Sequence, residues 1–322
     1  MRHVHLTLLL FCAIPACIPK HQIKKVTFPR ACLHHDMPSA KNPPITIWIH
    51  GTRFIRRPLF YSFFNGVPSL RLAIDLDPTS NIYETAHTLH RIAPDLFPLE
   101  TFYAFGWSGK LSSAVRLEAS QYLYAELQRV VAEYKKKYNE EPTIRIITHS
   151  HGGTVALNLA RIEKHPNDEP FIIDDLILMA CPVQKATKEY IEDDIFAHTC
   201  ALYSGLDIVQ ILAPQITYTF YQTKKGHTRS RFHWPPFSYR QFQNHPKLAQ
   251  VKIKINGRAL FHSEFTHSRF ISILPHVLHL LKSCHQHAQE YDTRLLCVYT
   301  RDNAKKVKAV DKSSTKRVRS SH

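Results

Sequence analysis

The stretch Thr143-Ile-Arg-Ile-Ile-Thr-His-Ser-His-Gly-Gly153 sets the fold class. Its first six residues are a β-branched run that predicts a buried strand. The small-residue segment from Thr154 to Ile162 predicts a helix. Between them, Thr148-His149-Ser150-His151-Gly152-Gly153 must turn within a few residues, and a turn that sharp lifts the Ser150 hydroxyl above the sheet. Such a turn brings backbone segments nearly into contact, so small neighbours are needed, and Gly152 is one. Thr148 stands where the commonest form of this turn has a first glycine. A plain strand-to-helix connection would also use Ser and Gly, but a strand before and a helix after mark Ser150 as a candidate nucleophile. The His151 N–H is then one candidate oxyanion donor, aided by the dipole of the helix that follows. Gly106-Trp107-Ser108-Gly109-Lys110 also places a serine between glycines after a strand, but Lys110 would crowd such a turn. It reads as a loop lining the site.

Outward from this turn, strands and helices alternate. Ile45–Ile49, Phe102–Phe105, Leu176–Ala180, Phe196–Tyr203 and Val251–Ile255 predict strands. Leu111 to Tyr138 and Arg269 to Cys284 predict helices, the first from apolar residues recurring at steps of three and four. Asn256-Gly257 is a strong hairpin-turn signal. The alternation predicts an α/β protein with a mostly parallel sheet and helices on both faces. The chain has 322 residues, of which 44% are hydrophobic, so it can bury a sizeable core and is not disordered throughout. Only nine glycines and no visible repeat exclude Gly-rich low complexity and solenoids.

The two ends differ from this body. Met1-Arg2-His3 is a short basic start, and Leu6 to Ala16 is an uninterrupted apolar run. It is shorter than the ~20 residues a membrane span needs and fits a secretory signal. Ile14-Pro15-Ala16-Cys17 resembles a lipoprotein cleavage box, with Cys17 as the lipidated residue. Residues 1–20 therefore read as an export or lipoprotein signal, and residues 21–290 as the folded domain. The alternative is an apolar N-terminal element of a cytoplasmic protein. From Arg301 the chain carries eight Lys or Arg and almost no large apolar residues, so 301–322 is expected to be a basic disordered tail. Seven cysteines with no C-x-x-C pair give neither a zinc nor a disulfide framework.

ITIWIHGT (45–52), IITHSHGG (146–153), YSGLDIV (203–209) and FHSEF (261–265) together resemble the α/β-hydrolase fold family, its lipase and esterase branch in particular. The resemblance covers roughly residues 40–285. It implies a second oxyanion amide after His50-Gly51, from Thr52 or Arg53. It also implies the chain order Ser, acid, His. Asp174, Asp175, Asp193 and Asp194 precede their strands, whereas ligands meet the carboxyl ends of strands in parallel sheets. Asp207 follows its strand and becomes the candidate acid, with a helix N-cap as its bland alternative. The base is His262 or His267; the run His262-Ser-Glu-Phe265 before an apolar helix favours His262, and His267 stands beside a plausible cap, Ser268. His50, Gly51, Trp107, His149 and Gly152 would line the site.

These residues imply a serine hydrolase cleaving a carboxylic ester through an acyl-enzyme, without a metal or other cofactor. His262, Glu264 and His267 do not form a metal motif, because histidines five apart lie about 140° apart on a helix. Lys and Arg exceed Asp and Glu to give +16, which favours anionic partners. Between Asp207 and Glu264 there is no acidic residue, while nine Lys or Arg interleave with Tyr218, Phe220, Tyr221, Phe232, Trp234, Phe237, Tyr239 and Phe242. The insertion at about 208–248 thus reads as a basic, aromatic lid suited to an anionic lipid surface, and the substrate as a lipid or other acyl ester. The alternatives are a solvated loop whose aromatics join the core, and an inactive hydrolase-fold protein binding anionic lipid or nucleic acid. No nucleic-acid-binding module is recognisable in the sequence.

Overall fold

A computed structural model describes residues 42–52, 68–162, 168–215, 218–222, 228–232, 237–279, 295–300 and 307–311. The signal reading of residues 1–20 and the candidate donor Arg53 lie outside them. The strands are β1 (Ile45–Ile49), β2 (Ser69–Leu72), β3 (Phe102–Gly106), β4 (Ile144–His149), β5 (Ile173–Met179), β6 (Phe196–Tyr203), β7 (Tyr218–Gln222), β8 (Thr228–Phe232), β9 (Leu248–Ile255), β10 (Arg258–Ala259), β11 (Leu295–Thr300) and β12 (Val307–Asp311). The helices are α1 (Asn81–Ile92), α2 (Ser113–Tyr138), α3 (Gly152–Leu157), α4 (Ile208–Leu212) and α5 (Ser268–Ile271), with further helical turns over 274–279.

The sheet runs β12-β11-β9-β6-β5-β4-β1-β3-β2, with β10 hanging from β9. All pairs from β11 to β3 are parallel; the β12, β2 and β10 pairings are antiparallel. The expected mostly parallel α/β sheet is therefore present. Side chains alternate between its faces. Ile45, Ile47 and Ile49 of β1, with Ile144 and Ile146 of β4, pack among residues of α2 and α3. Trp48, Ile147 and Ile177 point the other way, into a second core with Ala86 and Leu89 of α1 and Phe270 and Ile271 of α5. Both faces are covered, which is why these strands read as continuous apolar runs rather than as alternating ones.

Local chemistry explains the element ends. Ser112 caps α2 by accepting the Val115 N–H, and Asn139 closes it in the left-handed region at φ 55°. The Asn256-Gly257 turn has φ 52° and 78°, as a tight hairpin between β9 and β10 requires. The expected long last helix is interrupted. It stops at Ile271 and restarts at 274, because Pro275 has no N–H to offer the Ile271 carbonyl but suits a first turn.

β11 and β12 extend the sheet past residue 290, and Val307–Asp311, inside the segment expected to be disordered, pairs with β11. Val-Lys-Ala-Val is competent to pair, and the free edge of β11 offers it backbone partners. Residues 301–306 and 312–322 lie outside the described residues. In the insertion, β7 and β8 form a separate antiparallel ribbon. Its return is fastened at two bridges, Pro214 to Phe237 and Val183 to Tyr239.

Candidate active site

β1 pairs with β3 on one side and with β4 on the other, so the chain direction of the crossovers reverses there. A crevice opens at the carboxyl ends of strands at such a switch point. Four turns meet this edge: Gly51-Thr52 after β1, Ser150 after β4, Asp207 after β6 and His262 after the β9–β10 hairpin.

Ser150 has φ 54°, a left-handed conformation rarely held by a residue with a side chain. Its own amide donates to Met179 O at 2.9 Å, and its carbonyl accepts the Gly153 N–H at 3.0 Å. These bonds hold the strained residue in place. A β-carbon at Gly152 would lie 2.6 Å from His50 O and 2.7 Å from Ile49 O, both backbone atoms that cannot step aside. One at Gly51 would lie 2.7 Å from the Ser150 β-carbon. The β1 turn therefore presses directly on the serine turn. Thr148, where a glycine is commoner, is buried, and its hydroxyl donates to Ile177 O at 3.2 Å.

The His262 Nδ1–H donates to the Asp207 carboxylate, 2.9 Å from Oδ2 and 3.0 Å from Oδ1. A carboxylate only accepts, so Nδ1 carries a proton, and in the neutral tautomer Nε2 is the acceptor. Asp207 is 0% exposed, and its Oδ1 also accepts the Gln210 N–H at 2.9 Å. One carboxylate thus both meets the His262 ring and caps the helix that begins at Ile208. The Arg240 side chain donates to the Asp207 carbonyl at 3.0 Å.

His267 is placed elsewhere. It is exposed, and its carbonyl accepts the Phe270 and Ile271 N–H groups at the start of α5. Its side chain lines a 340 Å³ cleft with Asn81, Thr85 and Arg269. The excluded aspartates lie at the other end of the sheet: Asp174 accepts the Ile144 N–H at 2.7 Å, and Asp175 pairs with Arg145 at 2.9 Å.

His50 and Trp107 lock the β1 turn. The Trp107 N–H donates to His50 Nε2 at 3.3 Å, so His50 Nδ1 carries the proton and donates to Gly51 O at 2.7 Å. The indole N–H donates to His50 O at 2.8 Å, and the two rings stack. Among the described residues, no acceptor takes the backbone N–H of Thr52 or of His151.

Two histidines flank Ser150, His151 buried and His149 half-buried. Burial pushes His149 down to about 4, with like charge on His262 as the second cause. Burial likewise pushes His151 down to about 3, helped by Arg116 and His262. Both are neutral in the folded protein at pH 7. Their folded values lie below the unfolded 6.5, so their contribution to stability is complete above pH 6.5 and is lost as pH falls toward 4. At pH 5 the loss should be about 2 kcal/mol for each histidine. Urea unfolding at pH 7.5, 6 and 5 reads this slope, and His149→Gln should remove about half of it. A flat profile across that range would refute the assignment.

Arg116 is not signalled by the sequence beyond its place in a helical pattern. It is 2% exposed, and its guanidinium donates to Leu111 O at 2.6 Å and to Gln184 Oε1 at 3.2 Å. Gln184 in turn donates to Pro214 O at 2.9 Å. The arginine thereby ties together the loops after β3, β5 and α4. Burial lowers it to about 10, and its Nε meets no acceptor. A buried cation without a carboxylate is costly, and beside a turn that would develop negative charge its field is favourable. No group of three or more His, Cys, Asp or Glu is placed to hold a metal ion among the described residues. No protein-family model matches the chain, and no curated protein matches it.

Proposed function

We propose that this protein is a serine hydrolase of the α/β-hydrolase type that cleaves a carboxylic ester of a lipid or other acyl substrate. The observation that carries the reading is the buried Asp207 carboxylate on His262 Nδ1, at the same sheet edge as a serine held at φ 54°. A free serine is a weak nucleophile, so it needs a neighbouring base. His262 takes the Ser150 proton on Nε2 and returns it to the leaving alcohol. Asp207 keeps Nδ1 protonated and stabilises the imidazolium as it forms. The His151 and Thr52 amides hold the oxyanion, each worth about 10²–10³ in turnover. Water then cleaves the acyl-enzyme by the same route in reverse.

The lipid preference rests on the rim of the site. Ile208 and Leu212 of α4 are 57% and 53% exposed, and Phe261, next to His262, is 54% exposed. Leu206, Val209, Phe237 and Tyr239 add to this apolar margin. Large apolar side chains gathered in this way mark a surface that meets an apolar ligand or membrane. Phe242 departs from the lid reading, since it is buried in the core, and Lys252 and Lys254 lie on β9 rather than in an insertion.

The test is labelling with a fluorophosphonate probe, followed by p-nitrophenyl esters of graded chain length. Wild type should label; His262→Ala should not, and His267→Ala should label at the wild-type rate. Absence of labelling in folded wild type would sink the hydrolase reading. It would turn attention to binding of anionic vesicles and oligonucleotides.

A further inference from the structure

His262 sits on a short 3-10 turn, His262–Thr266, that follows a strand of only two residues. A loop so weakly tied to the sheet would not by itself hold an imidazole to catalytic tolerance. Two side chains hold it, one buried and one half-buried. Ser204, 0% exposed and three residues before Asp207, accepts the Leu260 N–H on its Oγ at 2.7 Å. His149, the last residue of β4 and the one before Ser150, donates from Nε2 to the His262 carbonyl at 3.0 Å. Its ring also lies against the His262 ring, with centroids 4.7 Å apart. One clamp acts two residues before the base and the other on the base's own carbonyl. The local staple formed by Glu264 with the Phe261 N–H and with Arg258 is exposed, and so is the weaker restraint.

We propose that Ser204 and His149 are positioning residues for His262, each reaching from one of the other two catalytic turns to hold the histidine loop in register. This rests on the hydrolase reading above for its consequence in turnover. The clamps explain why a serine stands in the acid turn and a histidine precedes the nucleophile. Both positions are filled by groups that bond to the third turn rather than to substrate. A displacement of about 1 Å at a reacting group can cost 10²-fold in rate. The donor matters in the His149 clamp, and the acceptor in the Ser204 clamp.

The experiment compares wild type, His149→Phe, His149→Gln and Ser204→Ala in ester kinetics, probe inactivation rate and amide hydrogen exchange. His149→Phe keeps a ring but loses the donor; His149→Gln keeps an N–H that can reach the same carbonyl. His149→Phe and Ser204→Ala should each lose about 10- to 100-fold in kcat and in probe rate, with KM within about twofold. His149→Gln should recover most of the loss, and the Leu260 amide should exchange faster in Ser204→Ala. Should either large change prevent folding, His149→Gln and Ser204→Cys keep the shape, and the exchange of Leu260 still reads the clamp. Turnover within twofold of wild type in both His149→Phe and Ser204→Ala, or His149→Gln as slow as His149→Phe, would overturn the proposal. If wild type shows no labelling, the hydrolase reading has failed. Leu260 exchange then decides the clamp alone: equal exchange in wild type and Ser204→Ala overturns it, and faster exchange in the variant supports it.

Discussion

Ser150→Ala is expected to abolish fluorophosphonate labelling and to lower kcat by about 10⁶-fold, with residual turnover coming from the oxyanion donors and binding alone. The size of this loss follows from the absence of a substitute at the site. Alanine has no hydroxyl to acylate, and the neighbouring imidazoles are held by other bonds: His149 by the His262 carbonyl and His262 by Asp207. The fold should survive. Alanine and serine bear a similar strain at φ 54°, and the contact of the β-carbon with Gly51 is unchanged. Thermal unfolding within a few degrees of wild type, together with lost labelling, separates chemistry from folding. Retained labelling at wild-type rate would place the reactive serine elsewhere.

Asp207→Asn is the second large effect, about 10⁴-fold in kcat. Asparagine is a good helix N-cap, so its side-chain oxygen can keep the bond to the Gln210 N–H and α4 should remain. What changes is the partner of His262. The amide NH₂ turned toward Nδ1 is a donor, so the imidazole must place its proton on Nε2, where it can no longer accept from Ser150. Fluorophosphonate labelling should slow in parallel with turnover. A stable Asp207→Asn variant with turnover near wild type would show that the carboxylate serves α4 only.

The parts of this fold that are legible in the sequence share one property: their pattern is local. The β-branched runs at 45–49 and 144–149 are buried on both faces, so composition alone marks them as strands. α2 is legible because its length lets buried apolar positions recur at steps of three and four over 26 residues. α1 carries a shorter signal, Ile82, Ala86 and Leu89 behind the Ser80 cap, spread thinly among polar residues. β2, with four residues and mixed polarity, carries none. β12 is hidden by composition, since a lysine-rich segment resembles a solvated tail unless an open strand edge happens to receive it. The break before Pro275 is readable from the proline itself, and an apolar pattern on either side masks it.

For the site, the sequence by itself determined the residue types and the turn. Ser150 between a strand and a glycine, and Asp207 after its strand rather than before it, are statements about neighbours in the chain. The preference for His262 over His267 rested there only on the run before an apolar helix, because both lie on the same loop and differ mainly in what they face across space. Only the tertiary structure places the Asp207 carboxylate against the His262 ring and leaves His267 at a helix start. The same holds for Arg116, Ser204 and His149, whose partners are 68, 56 and 113 residues away in the chain. Local pattern reports what a backbone segment will become. Which side chains meet is fixed only when the parallel sheet brings the ends of distant strands to one edge.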